Sequence, residues 1–302
     1  MVAVTYSIVA RCPSTGMLGI GIASHVLAVG RVARYVEPGV GVVATQSLVL
    51  MAHGHRTLAG LRAGLSPQQS LSDSLDMDDR ADVRQVGAVS ASGEVAAHTG
   101  QACIPVAGHV TGDGFSAQAN MMLVDGVPEA MAEAFTSAAD DPLVQRLLAA
   151  LDAAESVGGD MRGRQSAALV VTAPEASDDP LVDLVVDVRV DDHPEPLVEL
   201  RRLARLAVAN HRLDVADGLI AAGEISGAAE AYREATEAAP EYAEFSFWQA
   251  ASLADAGLVD EARQAWEAID LAGESERWAR VLRRTAQVGL LGPAVVRALL
   301  DE

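Results

Sequence analysis

The sequence predicts an α+β protein in two parts, a layered sheet domain over residues 1–198 and a small all-α domain over residues 199–302. Residues up to about 200 read as strands first, helices in the middle and strands again. The strands are apolar on both faces and need cover on both sides, which favours stacked sheets with helices outside. From about Leu197 the composition changes to alanine, glutamate, arginine and leucine at helical spacing.

The strands are located by apolar runs bounded by turn residues. Pro13 and Gly16 mark a turn between the first two strands, which therefore form a hairpin. Ala91-Ser92-Gly93 marks a second hairpin in the same way. The predicted strands are Thr5–Ala10, Leu18–Ser24, Gly39–Gln46, Gln85–Ser90, Glu94–His98, Ser166–Thr172 and Leu181–Val190.

The helices of the first domain are located by their caps. Ser66 precedes Pro67 and Asp141 precedes Pro142, the N-cap and first-turn residues that start helices. Gly158-Gly159 is typical of a helix end. The predicted helices are Arg56–Ala63, Pro67–Leu75, Pro128–Ala138 and one that runs from Pro142 to the paired glycines.

The all-α part contains an internal repeat. Residues 222–232 match residues 256–266, an offset of 34 residues that is typical of a tetratricopeptide helix-turn-helix unit. Such repeats usually need three or more units, so we expect the pair to pack against flanking helices or the first domain. The unit is either a protein-interaction module or a helical appendage that stabilises a dimer or caps the sheet.

Composition excludes several function classes. A formal charge of −20 argues against a nucleic-acid surface. The 22 basic residues are all arginines, so no lysine can serve as a base or Schiff-base former. Two distant cysteines suggest neither a disulfide framework nor a zinc site. Without a signal-peptide pattern or an apolar run of membrane-spanning length, we expect a cytoplasmic protein that contacts no membrane.

The first strand carries the most distinctive candidate site. Thr5 and Ser7 lie two residues apart and so share one face of the strand. A threonine that begins a chain can use its own α-amino group as the general base for its hydroxyl. Here Met1–Val4 precede Thr5, so removal of the initiator methionine would not expose it.

Two further polar groups lie at ends of predicted elements. The turn after Gly158-Gly159 brings Asp160, Arg162, Gln165 and Ser166 to the mouth of a sheet, where binding residues often lie. An Arg–Asp pair that only fixes this helix-to-strand turn is an equally good interpretation. In the other group Ser116, Gln118 and Asn120 share a strand face, and an asparagine amide can donate to an oxyanion.

Other polar residues are open to more than one interpretation. His109 is either a base or a hydrogen-bonded structural histidine, and Gln46 with its neighbours is either a site or a strand-end turn. His53-Gly54-His55 lacks a third metal ligand nearby, and no nucleotide-binding glycine motif occurs. We therefore expect neither a metal nor an organic cofactor. The paired aspartates are typical of caps and solvated turns, although Asp191-Asp192 ends a buried strand.

Taken together, these motifs resemble one family. Thr5–Arg11, Ala44-Thr45-Gln46, Arg84–Gly87, Thr99-Gly100 with Cys103, Gly159–Ser166 and Asp191–Pro194 occur in the order found in domain-of-unknown-function family 1028, which is grouped with the N-terminal nucleophile (Ntn) hydrolases. The resemblance covers about residues 4 to 200. It implies a four-layer αββα sandwich, followed here by the tetratricopeptide-like helical domain.

The resemblance also implies hydrolysis of an amide bond in a small or peptide-like substrate. Thr5 would be the nucleophile, Ser7 the runner-up or an assisting hydroxyl, and Asn120 an oxyanion donor. Asp160, Arg162 and Ser166 would orient the amine and the substrate. The remaining predicted substrate-binding residues are Ser24, Gln46, His109 and Gln165. We also expect a homo-oligomer, with a possible protein partner for the repeats.

The chain departs from the family pattern at three places. Val2-Ala3-Val4 separates Met1 from Thr5, Ala119 replaces a glycine between Gln118 and Asn120, and Cys12 replaces an aspartate. A Cβ at Ala119 is expected to narrow the site. Two other functions stay open: a non-catalytic binding scaffold acting through residues 214–285, and hydrolysis by an internal Thr5 or Ser7 with His25 or His109 as base.

Overall fold

The computed structural model describes residues 2–3, 5–178, 183–271 and 273–300. The chain divides into two compact units, residues 1–204 and 205–302. The boundary falls inside one long helix, a few residues after the change in composition. Each unit has a hydrophobic core of its own.

The first unit contains two antiparallel sheets, as the hairpin-rich sequence predicts. The six-stranded sheet has the order β11-β10-β3-β2-β9-β8. The five-stranded sheet has the order β1-β5-β6-β7, with β4 also paired to β5. The strands are β1 Val2–Ala3, β2 Thr5–Arg11, β3 Leu18–Ser24, β4 Arg34–Glu37, β5 Gly41–Leu48, β6 Arg84–Ser90, β7 Val95–Thr99, β8 Gly108–Gly112, β9 Phe115–Asn120, β10 Ser166–Thr172 and β11 Leu184–Val190.

Helices cover the outer face of each sheet. The helices α1 and α2 pack on the five-stranded sheet, and α3 and α4 pack on the six-stranded sheet. Between the two sheets lies an apolar layer that includes Val9, Ile20, Val42 and Val89. The helices of this unit are α1 Met51–Arg62, α2 Pro67–Asp76, α3 Val127–Ser137 and α4 Leu143–Ser156.

The central strand β2 has no solvent face, because its side chains alternate between the two layers. Val9 packs in the apolar layer between the sheets, and Ser7 lies on that same inner face. Tyr6 points the other way, and its hydroxyl donates to the carboxylate of Glu155 in α4. Close approach of α4 depends on Gly19, where a Cβ would stand 2.7 Å from Leu147 Cδ1.

Most of the predicted elements are confirmed within a few residues, and β3 and β10 match at both ends. The helix predicted from Arg56 starts earlier, at Met51. The edge strands β4 and β8 were not predicted, because they are short and read as polar or glycine-containing loops. The strand predicted from Leu181 is described from Leu184 onward, since residues 179–182 lie outside the described part of the chain.

The second unit is built of helices alone in its described residues. Helices α6 and α8 begin at Ile225 and Val259, 34 residues apart, in agreement with the repeat found in the sequence. Tyr232 and Trp266, at matching places in the two segments, are both buried. The chain continues from the first unit in α5 Pro196–Ala222, and the other helices are α6 Ile225–Ala238, α7 Ala243–Asp255, α8 Val259–Leu271, α9 Ser275–Gln287 and α10 Pro293–Leu300.

An aromatic cluster forms the centre of this helical unit. The ring of Phe247 stacks on Trp278 with centroids 4.8 Å apart and meets Trp248 edge-on at 4.9 Å. Trp266 contacts the same phenylalanine from 6.2 Å. Alanines around these rings let the helices approach closely and favour helix formation. Within the described ranges no helix combines the length and apolar character needed to cross a membrane.

Candidate active site

A row of polar residues crosses four strands at one end of the six-stranded sheet. Strand register pairs Ser166 with Ser24, Ser24 with Thr5, and Thr5 with Asn120. Directly paired residues point to the same face, and Thr5 shares the inner face with Ser7. All four side chains are buried. We call Thr5, Ser24, Asn120 and Ser166 the Thr5 row; its members come from four predicted segments and meet here.

The facing sheet contributes a second row of polar residues. Gln46 pairs with Gln85 across β5 and β6, and Gln85 pairs with Thr99 across β6 and β7. Gln46 Nε2 donates to Gln85 Oε1 at 2.7 Å and to the Thr5 carbonyl oxygen at 3.1 Å. Asn120 Nδ2 donates to the same two atoms, at 3.0 Å and 3.3 Å. The two sheets are thus joined by buried amide side chains around the start of β2.

Gln85 is the centre of this network and was absent from the predicted site residues. Its Nε2 donates to Thr99 Oγ1 at 2.9 Å and to the backbone oxygens of Gly108 and Ala119 at 3.1 Å and 2.9 Å. The only signal in the sequence was its place in the Arg84–Gly87 motif. A polar residue inside a strand that otherwise reads as apolar points to a buried partner.

Ser7 is hydrogen-bonded on both sides. Its hydroxyl donates to Gln46 Oε1 at 2.6 Å and accepts from Gln118 Nε2 at 2.7 Å. Gln118 Oε1 in turn accepts from Ser116 Oγ at 2.7 Å. The amide of Gln118 fits because residue 87 is a glycine, where a Cβ would stand 2.3 Å from Gln118 Oε1. Ser7 therefore holds two amides in place between the sheets.

The side chain of Thr5 is fully buried. Ahead of Thr5, Val2 and Ala3 lie along β5, because Val2 pairs with Leu48 and Ala3 with Ser47. Among the described residues, none donates a hydrogen bond to Asn120 Oδ1, although Asn120 is fully buried. This buried oxygen, near the start of β2, can therefore accept a hydrogen bond from a donor outside the network.

Backbone strain is concentrated at the same end of the sheets. Four non-glycine residues in the described ranges have positive φ: Ala28, Ser47, Val106 and Met121. Ser47 directly follows Gln46, Met121 directly follows Asn120, and the Val106 carbonyl accepts from the amide of Met122 at 3.2 Å. Positive φ is most costly for a β-branched residue such as Val106, and such strain gathers at functional sites.

The Asp160 carboxylate holds the turn between α4 and β10. It accepts from the His25 amide at 2.9 Å, from the Arg162 amide at 2.9 Å and from the Arg162 guanidinium at 2.9 Å and 3.1 Å. Asp160 also bridges to Met122, just beyond Asn120. The pair thus fixes the loops that follow β3 and β9 beside the Thr5 row.

Ser166 and Gln165 point in different directions. The Ser166 hydroxyl accepts from the Val29 amide at 3.1 Å and donates to the Val26 carbonyl, so it fixes the loop after β3. Gln165 Nε2 donates to Asp192 Oδ1 at 3.1 Å. Because adjacent residues of a strand face opposite sides, Gln165 is not brought into the Thr5 row.

His109 connects the amide network to a surface cavity. Its Nδ1 lies 2.8 Å from Thr99 Oγ1, and burial lowers the pKa of its imidazole. Thr99, Cys103 and His109 line a cavity of about 580 Å³. His25, the other candidate base, has its Nδ1 3.2 Å from the Arg164 carbonyl oxygen.

The expectation that Ala119 narrows the site is wrong. Ala119 pairs with Tyr6, whose side chain reaches α4 on the outer face of the sheet. Directly paired residues share a face, so the Cβ of Ala119 points away from Asn120 and the Thr5 row. Because β strands alternate with period two, a substitution between two site residues lies outside the site.

The two histidines of His53-Gly54-His55 diverge. His53 is buried with Nδ1 2.8 Å from Ser74 Oγ and Nε2 2.9 Å from Asp78 Oδ2, while His55 packs edge-on against Tyr35. Burial lowers the pKa of His53, and a hydrogen bond from Arg84 holds the pKa of Asp78 well below its usual range. In the parts of the chain described, no three His, Cys, Asp or Glu side chains are grouped to hold a metal ion.

Known proteins place the first unit in a family. Residues 5–200 match a family of unknown function, DUF1028, and this match begins at Thr5. The crystal structure of protein SPO2555 from Silicibacter pomeroyi, described with the same family, is similar at 34% identity with a TM-score of 0.61, over 68% of this chain and 86% of that one. No curated protein matches. With well over half of its residues matched, the chain belongs to the DUF1028 family.

Proposed function

We propose that this chain is an amidohydrolase of the Ntn type, which cleaves an amide bond in a small or peptide-like substrate. The observation that carries the proposal is the Thr5 row: a threonine begins a central strand between two facing sheets, in register with Ser24 and Asn120. Helix pairs outside the two sheets support the αββα sandwich of that superfamily. The strained backbone around the row adds independent support.

In the proposed reaction Thr5 attacks as an N-terminal nucleophile. Once Thr5 is the first residue, its α-amino group takes the hydroxyl proton while Oγ1 bonds to the amide carbon. The C–N bond then breaks, the proton passes to the leaving amine, and an ester to Thr5 remains. Water, deprotonated by the same amine, hydrolyses that ester and restores the hydroxyl.

Thr5 is preferred over Ser7 because the hydroxyl of Ser7 is occupied. It donates to the buried amide oxygen of Gln46 and accepts from the buried amide nitrogen of Gln118. Its use as a nucleophile would leave these two groups without partners. Ser7 therefore acts as a support for the amides that surround the start of β2.

Asn120 is proposed to position the amine and to support the oxyanion. Its Oδ1, which accepts no hydrogen bond from a described residue, suits the α-amino group of a newly exposed Thr5, since an amine is a hydrogen-bond donor. Its Nδ2 donates to Gln85 Oε1 and the Thr5 carbonyl, and would turn to an oxyanion only by leaving Gln85. Asp160 and Arg162 are positioning residues, because their contacts fix the neighbouring loops.

The proposal requires loss of Met1–Val4. Backbone pairing of Val2 and Ala3 with β5 places this segment directly ahead of a fully buried Thr5. Removal of the segment would create the α-amine and open the inner end of β2.

The test compares three preparations: the full chain, a form cut to begin at Thr5, and that form with Thr5→Ala. Each is incubated with a panel of small and peptide-like amides, and amine release is measured. We expect release only from the form with Thr5 first. Thr136→Ala, at an exposed helical hydroxyl, is the matched control and keeps activity. Equal release by the Thr5→Ala form would refute the mechanism.

A second candidate is a non-catalytic binding protein that acts through its helices. The observation in its favour is that Thr5 is closed off while the amide network around it is largely satisfied. Helices α6 and α8, 34 residues apart with a buried aromatic in each, support a tetratricopeptide-like unit for a protein partner. The second candidate predicts no amine release in any preparation.

The expected assembly of the chain into a homo-oligomer stays a prediction.

A further inference from the structure

We propose that a second site, at the β4–β11 edge of the first unit, binds a small organic anion with an apolar body and an anionic oxygen headgroup. The site is a cavity of about 680 Å³ between the edge strands β4 and β11, closed by α1 and by the short turn Val29–Arg31. This volume is within the usual range for ligand pockets. The proposed amidohydrolase activity does not use it.

The cavity is separated from the Thr5 row along β10. Val170 lines the cavity and Ser166 belongs to the row, so these two residues stand four positions, about 13 Å, apart along the strand. The two sites therefore share one sheet but lie at different places on it. No member of the Thr5 row lines the cavity, although the loop that lines it through Gly30 and Arg31 is hydrogen-bonded to Ser166.

The cavity is rich in cations although the chain as a whole is strongly acidic. Four arginines and two carboxylates line it, in a chain of net charge −20. Three arginines are paired: Arg34 with Asp187 at 2.7 Å, Arg62 with Glu37, and Arg189 with Asp191 at 2.7 Å. The fourth, Arg31, makes no ion pair or hydrogen bond with any described residue through its side chain.

The loop that carries Arg31 is held in place before any ligand arrives. Val29 donates to Ser166 Oγ at 3.1 Å, and the amide of Ala28 donates to the Asp191 carbonyl at 2.9 Å. Arg34 Nε donates to the Gly30 carbonyl at 2.8 Å. Ala28 has a positive φ of 57°, a conformation that only firm surroundings maintain in a non-glycine residue. A fixed loop lowers the entropy cost of binding.

The remaining walls suit an apolar body. Val36 and Leu58 contribute aliphatic surface from the five-stranded sheet and α1, and Val170 and Leu184 contribute it from the opposite edge. The ring of Tyr35 lies beside them, with His55 packed on it edge-on at 4.9 Å. An unpaired guanidinium next to such walls would bind one anionic headgroup, and the apolar part of the ligand would pack against the aliphatic and aromatic side chains.

The test uses three probes that share a phenyl ring: phenylacetate, phenyl phosphate and the uncharged phenylacetamide. Binding to the full chain is measured by calorimetry. We expect one of the two anions to bind with a Kd of about 1 mM or tighter. We expect the amide to bind at least about tenfold more weakly, since it lacks the charge-assisted hydrogen bond. The tighter of the two anions identifies a carboxylate or a phosphate headgroup.

Two variants decide whether Arg31 holds the headgroup. Arg31→Ala should weaken binding of the preferred anion about tenfold. It should leave the unfolding temperature unchanged, because Arg31 is exposed and supports no described neighbour. Arg80→Ala, an exposed arginine outside the cavity, is the matched control and should bind as the unaltered chain does. The proposal is refuted if neither anion binds at about 10 mM, if the amide binds equally, or if Arg31→Ala has no effect.

Discussion

Ser7→Ala tests the role of the amide network at the start of β2. The change removes one hydroxyl from a fully buried position. It leaves Gln46 Oε1 without its donor and Gln118 Nε2 without its acceptor. Neither group can turn to water, because both glutamines are also fully buried.

The expected loss of stability follows from these two groups. A buried polar group left without a partner costs about 1–3 kcal/mol, so two cost about 2–6 kcal/mol. A domain of this size is stable by only about 5–15 kcal/mol, so the loss would be a large fraction of the total. A loss of about 3 kcal/mol, in the lower half of this range, already makes local opening about a hundredfold more frequent.

Hydrogen exchange followed by mass spectrometry measures this effect strand by strand. Peptides from β2, β5 and β9 should exchange about a hundredfold faster in Ser7→Ala. Urea unfolding followed by far-UV circular dichroism should move to lower concentration. Ser137→Ala is the matched control, because Ser137 is exposed at the end of α3. A loss below about 0.5 kcal/mol, like that of a surface substitution, would contradict the network's role.

Three further outcomes follow. Gly87→Ala should destabilise the first unit by about 1–3 kcal/mol in thermal unfolding, because its Cβ would stand 2.3 Å from Gln118 Oε1. Since the pKa values of His53 and Asp78 are lowered on folding, the folded state binds fewer protons. The free energy of unfolding should therefore be highest above about pH 6.5 and fall below that pH, as His53 protonates in the unfolded chain. It should fall further below about pH 4, as Asp78 protonates in the unfolded chain. In His53→Gln the decrease that starts near pH 6.5 should be absent. Burial raises the pKa of Cys12, but hydrogen bonds from Ser14 and Thr15 outweigh it and lower the pKa to about 7. Iodoacetamide labelling should therefore rise around pH 7 at Cys12, and equal labelling of Cys103, whose thiol pKa burial raises, would contradict this.

The sequence was sufficient for a mixed α and β fold with antiparallel sheets and for most elements of the first unit. Apolar runs with clear turns, such as Leu18–Ser24 and Ser166–Thr172, were predicted at both ends. The strand β4, Arg34–Glu37, was missed because its four residues mix charged and apolar side chains. The next strand was predicted to start at Gly39, although Pro38-Gly39 is the turn that joins β4 to β5, with Glu37 opposite Gly41.

The sequence indicated the residues of the candidate site better than their arrangement. Thr5, Ser24, Asn120 and Ser166 were each chosen from a different segment, and strand register brings them into one row. The sequence alone could not show which faces of the two sheets contact each other. The central place of Gln85 depends on the contact between the two sheets, since its amide reaches oxygens of β8 and β9.

Loss of the segment ahead of Thr5 is the central claim of this account. Intact-mass spectrometry of the protein purified from its own cells, before and after exposure to an electrophile that acylates N-terminal threonine, tests it most directly. We expect a species that begins at Thr5 and gains one acyl group, with the group mapped to Thr5. Protein that keeps Met1 or Val2 under all conditions, with no acylation of Thr5, would contradict it.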